Sequence, residues 1–247
     1  MSGAVFALAS GAVAHQLRLE SLSNNLSNAG TVGFKMDHVA FRLPEDREPI
    51  TVPGADGTNP ADDTTLIPVV RTIDFSPGPY RQTGNPMDAA IRGEGFFCVA
   101  APDGLRYTRN GSFSLGPEGI LSTQSGYPVL GTGGEIAVDG SAVVIDSSGN
   151  VFVDGENAGT LRIVRFENPQ SLRKTGEGLF SADEAALEEP VEEPSVDQGV
   201  LEESNVNTVR MMTEMIEVLR GFETYQKVIH SIGEATSRTI ASVGSPE

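Results

Sequence analysis

The chain has 247 residues, 38% of them hydrophobic and 6% aromatic with no tryptophan, enough for one large domain or two smaller ones around a real core. A net charge of −17 excludes nucleic acid as an expected partner, because neutralising phosphates takes clusters of Lys and Arg. The single cysteine, Cys98, leaves no internal disulfide and no cysteine-based metal cluster, and without an apolar run near ~20 residues no membrane insertion is expected.

The first predicted element is a helix over about 4–28. Its apolar positions Val5, Leu8, Ala12, His15, Leu19, Leu22 and Leu26 advance by alternating steps of three and four. That alternation keeps one seam facing a partner helix. The early residues are rich in Gly, Ala and Ser, so the helix is weak alone and gains stability by packing. The run ending Ala12-Val13-Ala14 mimics a signal peptide, but no Lys or Arg precedes Arg18, so no cleaved signal is expected. Asn24, Asn25 and Asn28 are placed to satisfy backbone groups near the helix end, since an amide both donates and accepts. Gly30 offers a left-handed cap, and Gly33 a second break and backbone hinge.

Residues 36–83 read as an extended connecting region, broken by seven prolines from Pro44 to Pro79, with short strands at 50–52 and 69–75. Residues 84–182 repeat strand and turn, which favours a small antiparallel sandwich or barrel. Gly84 is a second expected hinge, and Asn110-Gly111 is the sequence signal for a type I′ hairpin turn. Cys98, within Phe96-Phe97-Cys98-Val99, reads as a buried small hydrophobe. Residues 183–203 read as an acidic linker, because 181–203 holds nine carboxylates and no Lys or Arg.

The last predicted helix starts near Ser204 or Asn205, both good N-cap residues, and runs to about Val243. Met211, Met215, Val218, Phe222, Tyr225, Ile229 and Ile232 repeat the three–four alternation, and a second row, Val209, Met212, Ile216 and Leu219, lies beside it. One short N-terminal helix cannot cover so wide a face, so the remainder is expected against other subunits. The expected fold is therefore α+β: long N- and C-terminal helices pairing as a coiled coil, a central antiparallel β domain and an extended connecting region. The expected boundaries are 1–35, 36–83, 84–182, 183–203 and 204–247.

No constellation of catalytic type stands out, and no cofactor or metal is expected. His15, His38 and His230 share no ligand spacing with a carboxylate or thiol. Asp146-Ser147-Ser148-Gly149-Asn150 lacks the twelve-residue calcium pattern and its closing Glu, and reads as a turn. Gly131-Thr132-Gly133-Gly134 has no following Lys and is no phosphate loop. The rival class is a periplasmic glycan-acting enzyme using Asp88 and Glu94, with Arg92 in the same cleft, or a cell-wall binding module on the β body.

Four segments resemble the flagellar basal-body rod family. They are Leu22 through Lys35, with its Asn24-Asn25-Leu26 core and Gly33-Phe34-Lys35 end; Asp74 through Phe97, including Gly84-Asn85, Asp88 and Gly95-Phe96; Tyr107 through Phe113, including Asn110-Gly111; and Gly199 through Asn207 with Arg220-Gly221-Phe222-Glu223. The resemblance implies a non-enzymatic structural subunit of the rod between motor and hook. Terminal helices would pair in an inner layer, with the β domain outward. It also implies partners among copies of itself and other rod subunits, and passage through the flagellar type III export apparatus without a cleaved signal. The assembly residues so implied are Val5, Leu8, Ala12, Leu19, Leu22, Asn24, Asn25, Leu26, Asn28, Gly33, Phe34, Ser204 and Asn205, with the seam from Met211 to Ile232. Compact length and the Arg220–Glu223 motif look like the proximal rod branch; a distal rod or hook-type axial subunit is the alternative. Ala29-Gly30 and the acidic run depart from the family pattern.

Overall fold

The computed structural model describes residues 2–41 and 69–243, with side chains over 11–40 and 70–234. Two α-helices and nineteen short strands make up the described chain. The strand expected at 50–52 and most of the proline-broken connecting region lie outside the described residues. The chain divides into two compact units, one of Met1–Leu26, Asp37–Thr72 and Asn207–Glu247, the other of Ser27–Met36 and Ile73–Val206.

The first unit holds helix α1, Ser2–Ser27, and helix α2, Thr208–Val243. The cap of α2 is Asn207, whose Oδ1 accepts from the Arg210 amide at 3.0 Å, and not the earlier Ser204 or Asn205. In α1, Asn25 is buried at 1% exposure. Its amide donates to the Asp37 carbonyl at 2.8 Å and accepts from the Asp37 N–H at 2.9 Å. This two-way bond ties the helix to the strand Asp37–Phe41, which pairs with Val69–Ile73.

The expected coiled coil is not formed. The helices are 26 and 36 residues long within a chain built mostly of strands. Where they meet, His15 faces Tyr225 with ring centroids 5.1 Å apart, and Arg18 reaches Glu214 at 3.9 Å. Gly11 and Gly221 line this contact: an added Cβ on Gly221 would sit 3.0 Å from the His15 ring. A glycine, imidazole and ion-pair crossing cannot supply the knobs that a heptad seam requires. Accordingly Leu19, Met215, Phe222, Tyr225, Ile229 and Ile232 remain half-exposed, while among the described seam residues only Leu22, Met211 and Val218 are buried. The alternation of three and four describes an amphipathic face, which a globular contact also satisfies.

The second unit is the antiparallel β body expected from the turns. Its main sheet has six strands in the order Arg173–Gly176, Leu179–Ser181, Gly104–Thr108, Phe96–Ala101, Ile163–Phe166, Glu188–Pro190. Both faces of the central strand are covered, which is why Phe96-Phe97-Cys98-Val99 is continuously apolar. Phe97 and Val99 enter a core with Phe113, Leu121, Val129 and Val151. Phe96 and Cys98 point the other way, among Tyr107, Phe166 and Phe180. The rings there meet edge to face, Tyr107 on Phe166 at 4.8 Å and Phe96 on Phe180 at 5.7 Å.

Two local expectations change. Asn110-Gly111 makes no hairpin: the strand before it pairs with Phe96–Ala101 and the strand after it, Phe113–Leu115, with Leu121–Thr123. Gly111 instead lets the backbone pass Ala89, whose carbonyl would lie 1.6 Å from an added Cβ. The acidic run is strand rather than linker. Glu188–Pro190, Val196–Gln198 and Val200–Glu202 pair with Ile163–Phe166, Ala89–Ile91 and Tyr80–Gln82. The run alternates: Val196 and Leu201 are buried, and Arg162, Arg165, Arg92 and Arg81 pair with Glu188, Glu189, Asp197 and Glu203.

Candidate functional site

The chemistry concentrated inside the β body is a buried knot of charge. Gly33 adopts φ +68, which turns the chain after α1 back onto the body. Its N–H donates to the Glu202 carbonyl at 2.8 Å. Phe34 is then buried beneath the ammonium of Lys174, 4.1 Å above its ring, a cation–π contact. Lys35 follows, 1% exposed, with its Nζ donating to Glu202 Oε1 at 2.6 Å and to the Ser76 carbonyl at 2.8 Å.

Glu202 is equally buried and accepts from three directions. Besides Lys35, the Gly78 N–H donates to Oε1 at 3.0 Å, and Arg109 Nη1 donates to Oε2 at 3.3 Å. Arg109 also donates from Nη2 to the Gly93 carbonyl at 2.7 Å and lies 5.3 Å above the Phe96 ring, while its Nε has no partner among the described residues. Burial lowers the pKa of both Lys35 and Arg109, and the Glu202 carboxylate opposes that fall. Taking such charges out of water costs several kcal/mol each, offset only where geometry and further hydrogen bonds are good. The carbonyls of Ser76 and Gly93 supply those bonds.

Asn205 completes the knot. Its Oδ1 accepts from the Met36 N–H at 2.8 Å, and its Nδ2 donates to the carbonyls of Asp74 at 2.8 Å and Ser76 at 3.2 Å. Ser204 is buried, and its hydroxyl accepts from the Val206 N–H at 3.3 Å.

Other residues singled out in the sequence sit elsewhere. Asp88 is buried and its carboxylate accepts from Thr83 Oγ1 at 2.6 Å and Asn85 Nδ2 at 2.9 Å. Arg92 pairs with Asp197 and stacks 3.9 Å over the Tyr80 ring, while Glu94 is exposed. Asp88, Arg92 and Glu94 therefore share no cleft poised for acid–base work. Gly84 lies beside Gly199, whose carbonyl accepts from the Thr83 and Gly84 N–H groups. Gly95 packs against Ile163. Asn110 Oδ1 accepts from the Ser112 N–H at 3.0 Å. His15 belongs to the helix contact, His38 is exposed, and His230 faces Glu234 at 3.4 Å. Among the described residues no group of three or more His, Cys, Asp or Glu is placed to hold a metal ion, and no described helix is long and apolar enough to cross a membrane.

On the helices, Ala12 and Leu26 are half-buried, Asn24 is exposed, and Asn28 accepts from Thr31 Oγ1 at 3.2 Å. The side chains of Val5 and Leu8 lie outside the described residues. The second row of α2 faces solvent: Val209 is 76% exposed, Met212 50%, Ile216 53% and Leu219 40%. Four large apolar side chains thus lie exposed along one helical face, a contiguous row and not a scatter of single exposures.

Lys35, Arg109 and Glu202 fall within the segments Leu22–Lys35, Tyr107–Phe113 and Gly199–Asn207, whose sequence alone assigns none of the three a role. A local signal existed for Lys35 alone, a charge that follows Gly33-Phe34 and closes its motif, whereas Arg109 and Glu202 lie inside theirs beside polar neighbours.

Three family models match the chain: one described as "Flagella basal body rod protein" over residues 7–35, one as "Flagellar hook protein FlgE/F/G D1 domain" over residues 90–153, and one as "Flagellar basal body rod FlgEFG protein C-terminal" over residues 197–241. Lys35, Arg109 and Glu202 fall one in each. Among curated relatives, the flagellar basal-body rod protein FlgF of Caulobacter vibrioides is 33% identical over 92% of this chain and 91% of its own length. FlgF of Mesorhizobium japonicum is 29% identical over 99% of both chains, and FlgG of Bacillus subtilis is 34% identical over 89% of this chain and 90% of its own.

Proposed function

The chain belongs to the flagellar basal-body rod protein family, and from that premise we propose that it builds the proximal part of the rod, using the apolar row of α2 as an assembly surface. As a member of that family it is a structural subunit of the flagellar basal body and not an enzyme. The observation that carries the assembly reading is the exposure of Val209, Met212, Ile216 and Leu219 along one face of a 36-residue helix. Each such side chain contributes roughly 1.5–3 kcal/mol when fully buried, so docking on a neighbouring rod subunit has a clear driving force. Copies of this chain and other rod subunits are the partners, and the flagellar export apparatus is the route to them.

The proximal reading is supported by collinearity with the Mesorhizobium FlgF over 99% of both chains and by compact length. A distal position is the second reading, favoured by the comparable identity to FlgG. Deleting the gene and imaging isolated basal bodies by electron microscopy tests both. Rods broken close to the motor are the expected outcome. Rods that stop short of the hook at their far end would move the subunit to the distal position, and complete flagella would refute a rod role.

A further inference from the structure

The second unit has four chain ends as well as a core: one at Ser27, and three more at Met36, Ile73 and Val206. The segments next to those last three ends are stitched to one another by side chains. Asn205 alone bonds backbone at Met36, Asp74 and Ser76. Lys35 bonds Ser76 and Glu202, and Glu202 bonds Gly78. Backbone bonds run alongside, from the Asp74 N–H to the Met36 carbonyl at 2.8 Å and from the Asn205 N–H to the Phe34 carbonyl at 3.3 Å. Lys35, Glu202 and Asn205 belong to neither apolar core, although Ile73 and Phe75 of the same segment pack against the second one.

We propose that Lys35, Glu202 and Asn205 form a joint that holds three of the four ends of the β body, those at Met36, Ile73 and Val206, together as one cooperative piece, separate from the packing of its core. The chemistry suits the task. Apolar packing is non-directional and lets segments slide, whereas a buried carboxylate bonded to two cations and an amide fixes a single arrangement. An amide side chain with one acceptor and two donors can bridge three backbones, which no apolar residue of that size can do. The proposal concerns the second unit alone and stands whether or not α2 docks on another subunit.

Amide hydrogen exchange on the full chain tests it, with Asn205→Ala as the deciding variant because it leaves the charges paired. The expected result is that the N–H groups of Gly33, Met36, Asp74 and Gly78 exchange faster together, by about tenfold or more, while those of Leu121, Val129 and Leu161 in the core stay unchanged. Acceleration confined to Met36, which loses its acceptor directly, would overturn the proposal by making the bonds independent. Acceleration spread equally through the core would overturn it by making the cluster part of that core. Lys35→Met, Arg109→Met and Glu202→Met together remove all three buried charges of the knot, leaving no cation without its carboxylate. This triple variant is expected to loosen the same four amides, and their full protection in it would also refute the joint.

Discussion

Single residues set the tolerance of the β body to change, and two glycines show how. Gly33 and Gly84 have nearly the same left-handed backbone, φ +68 and +72. An added Cβ at Gly33 would lie 2.4 Å from the Asn110 nitrogen, whereas at Gly84 it would meet nothing within 4 Å. The left-handed cost of ~1–2 kcal/mol applies to both, and Gly33→Ala adds an overpacking cost of ~1–3 kcal/mol. Denaturant unfolding should therefore find Gly33→Ala the more damaging of the two, and equal losses would refute the steric account. Cys98 gives a second test. Burial pushes its thiol from 9.0 up to about 12, so above pH 9 the unfolded chain releases this proton and the folded chain keeps it. The folded state then binds more protons, and stability falls as pH rises from 9 towards 12, by up to ~1.4 kcal/mol per unit. The difference in unfolding free energy between wild type and Cys98→Ala should shrink across that window. A difference independent of pH would show that the thiol is not held protonated.

At the scale of elements, α2 presents one covered and one exposed apolar row. Val218 is 3% exposed and Ile216, two positions earlier, is 53% exposed. Val218→Asp buries an unpaired carboxylate and should unfold the helix contact, while Ile216→Asp should leave thermal stability of the chain within ~0.5 kcal/mol and weaken rod assembly in a complemented deletion strain. Normal motility with Ile216→Asp would remove the exposed row from the assembly surface. Both helices were legible, because apolar residues at helical spacing mark an amphipathic helix whether or not its apolar face is covered. The coiled coil was not legible, because the same alternation serves any amphipathic helix, and the glycine and histidine at the crossing interrupt the heptad without erasing its rhythm. The strands at 188–202 were hidden for a related reason. Their outward carboxylates dominate the composition, and the arginines that pair with Glu188, Glu189 and Asp197 lie 24 to 105 positions away.

Across the whole molecule, the family was readable from four motifs while the reason for their spelling was not. Lys35 and Glu202 are 167 positions apart, and no local pattern links them; only the folded body brings the three matched regions to one buried carboxylate. The outermost strands of the six-stranded sheet carry a further consequence. One is Arg173–Gly176, basic and irregular in register after Lys174; the other is Glu188–Pro190, exposed throughout and ending in a residue without an N–H. An open sheet edge invites another strand, and charge, a bulge and proline are the features that refuse one. Subunits crowded along a shaft at very high local concentration meet the conditions under which β proteins convert to amyloid. With both rims of the sheet closed to strand addition, such crowding yields an ordered polymer in place of a fibrous aggregate.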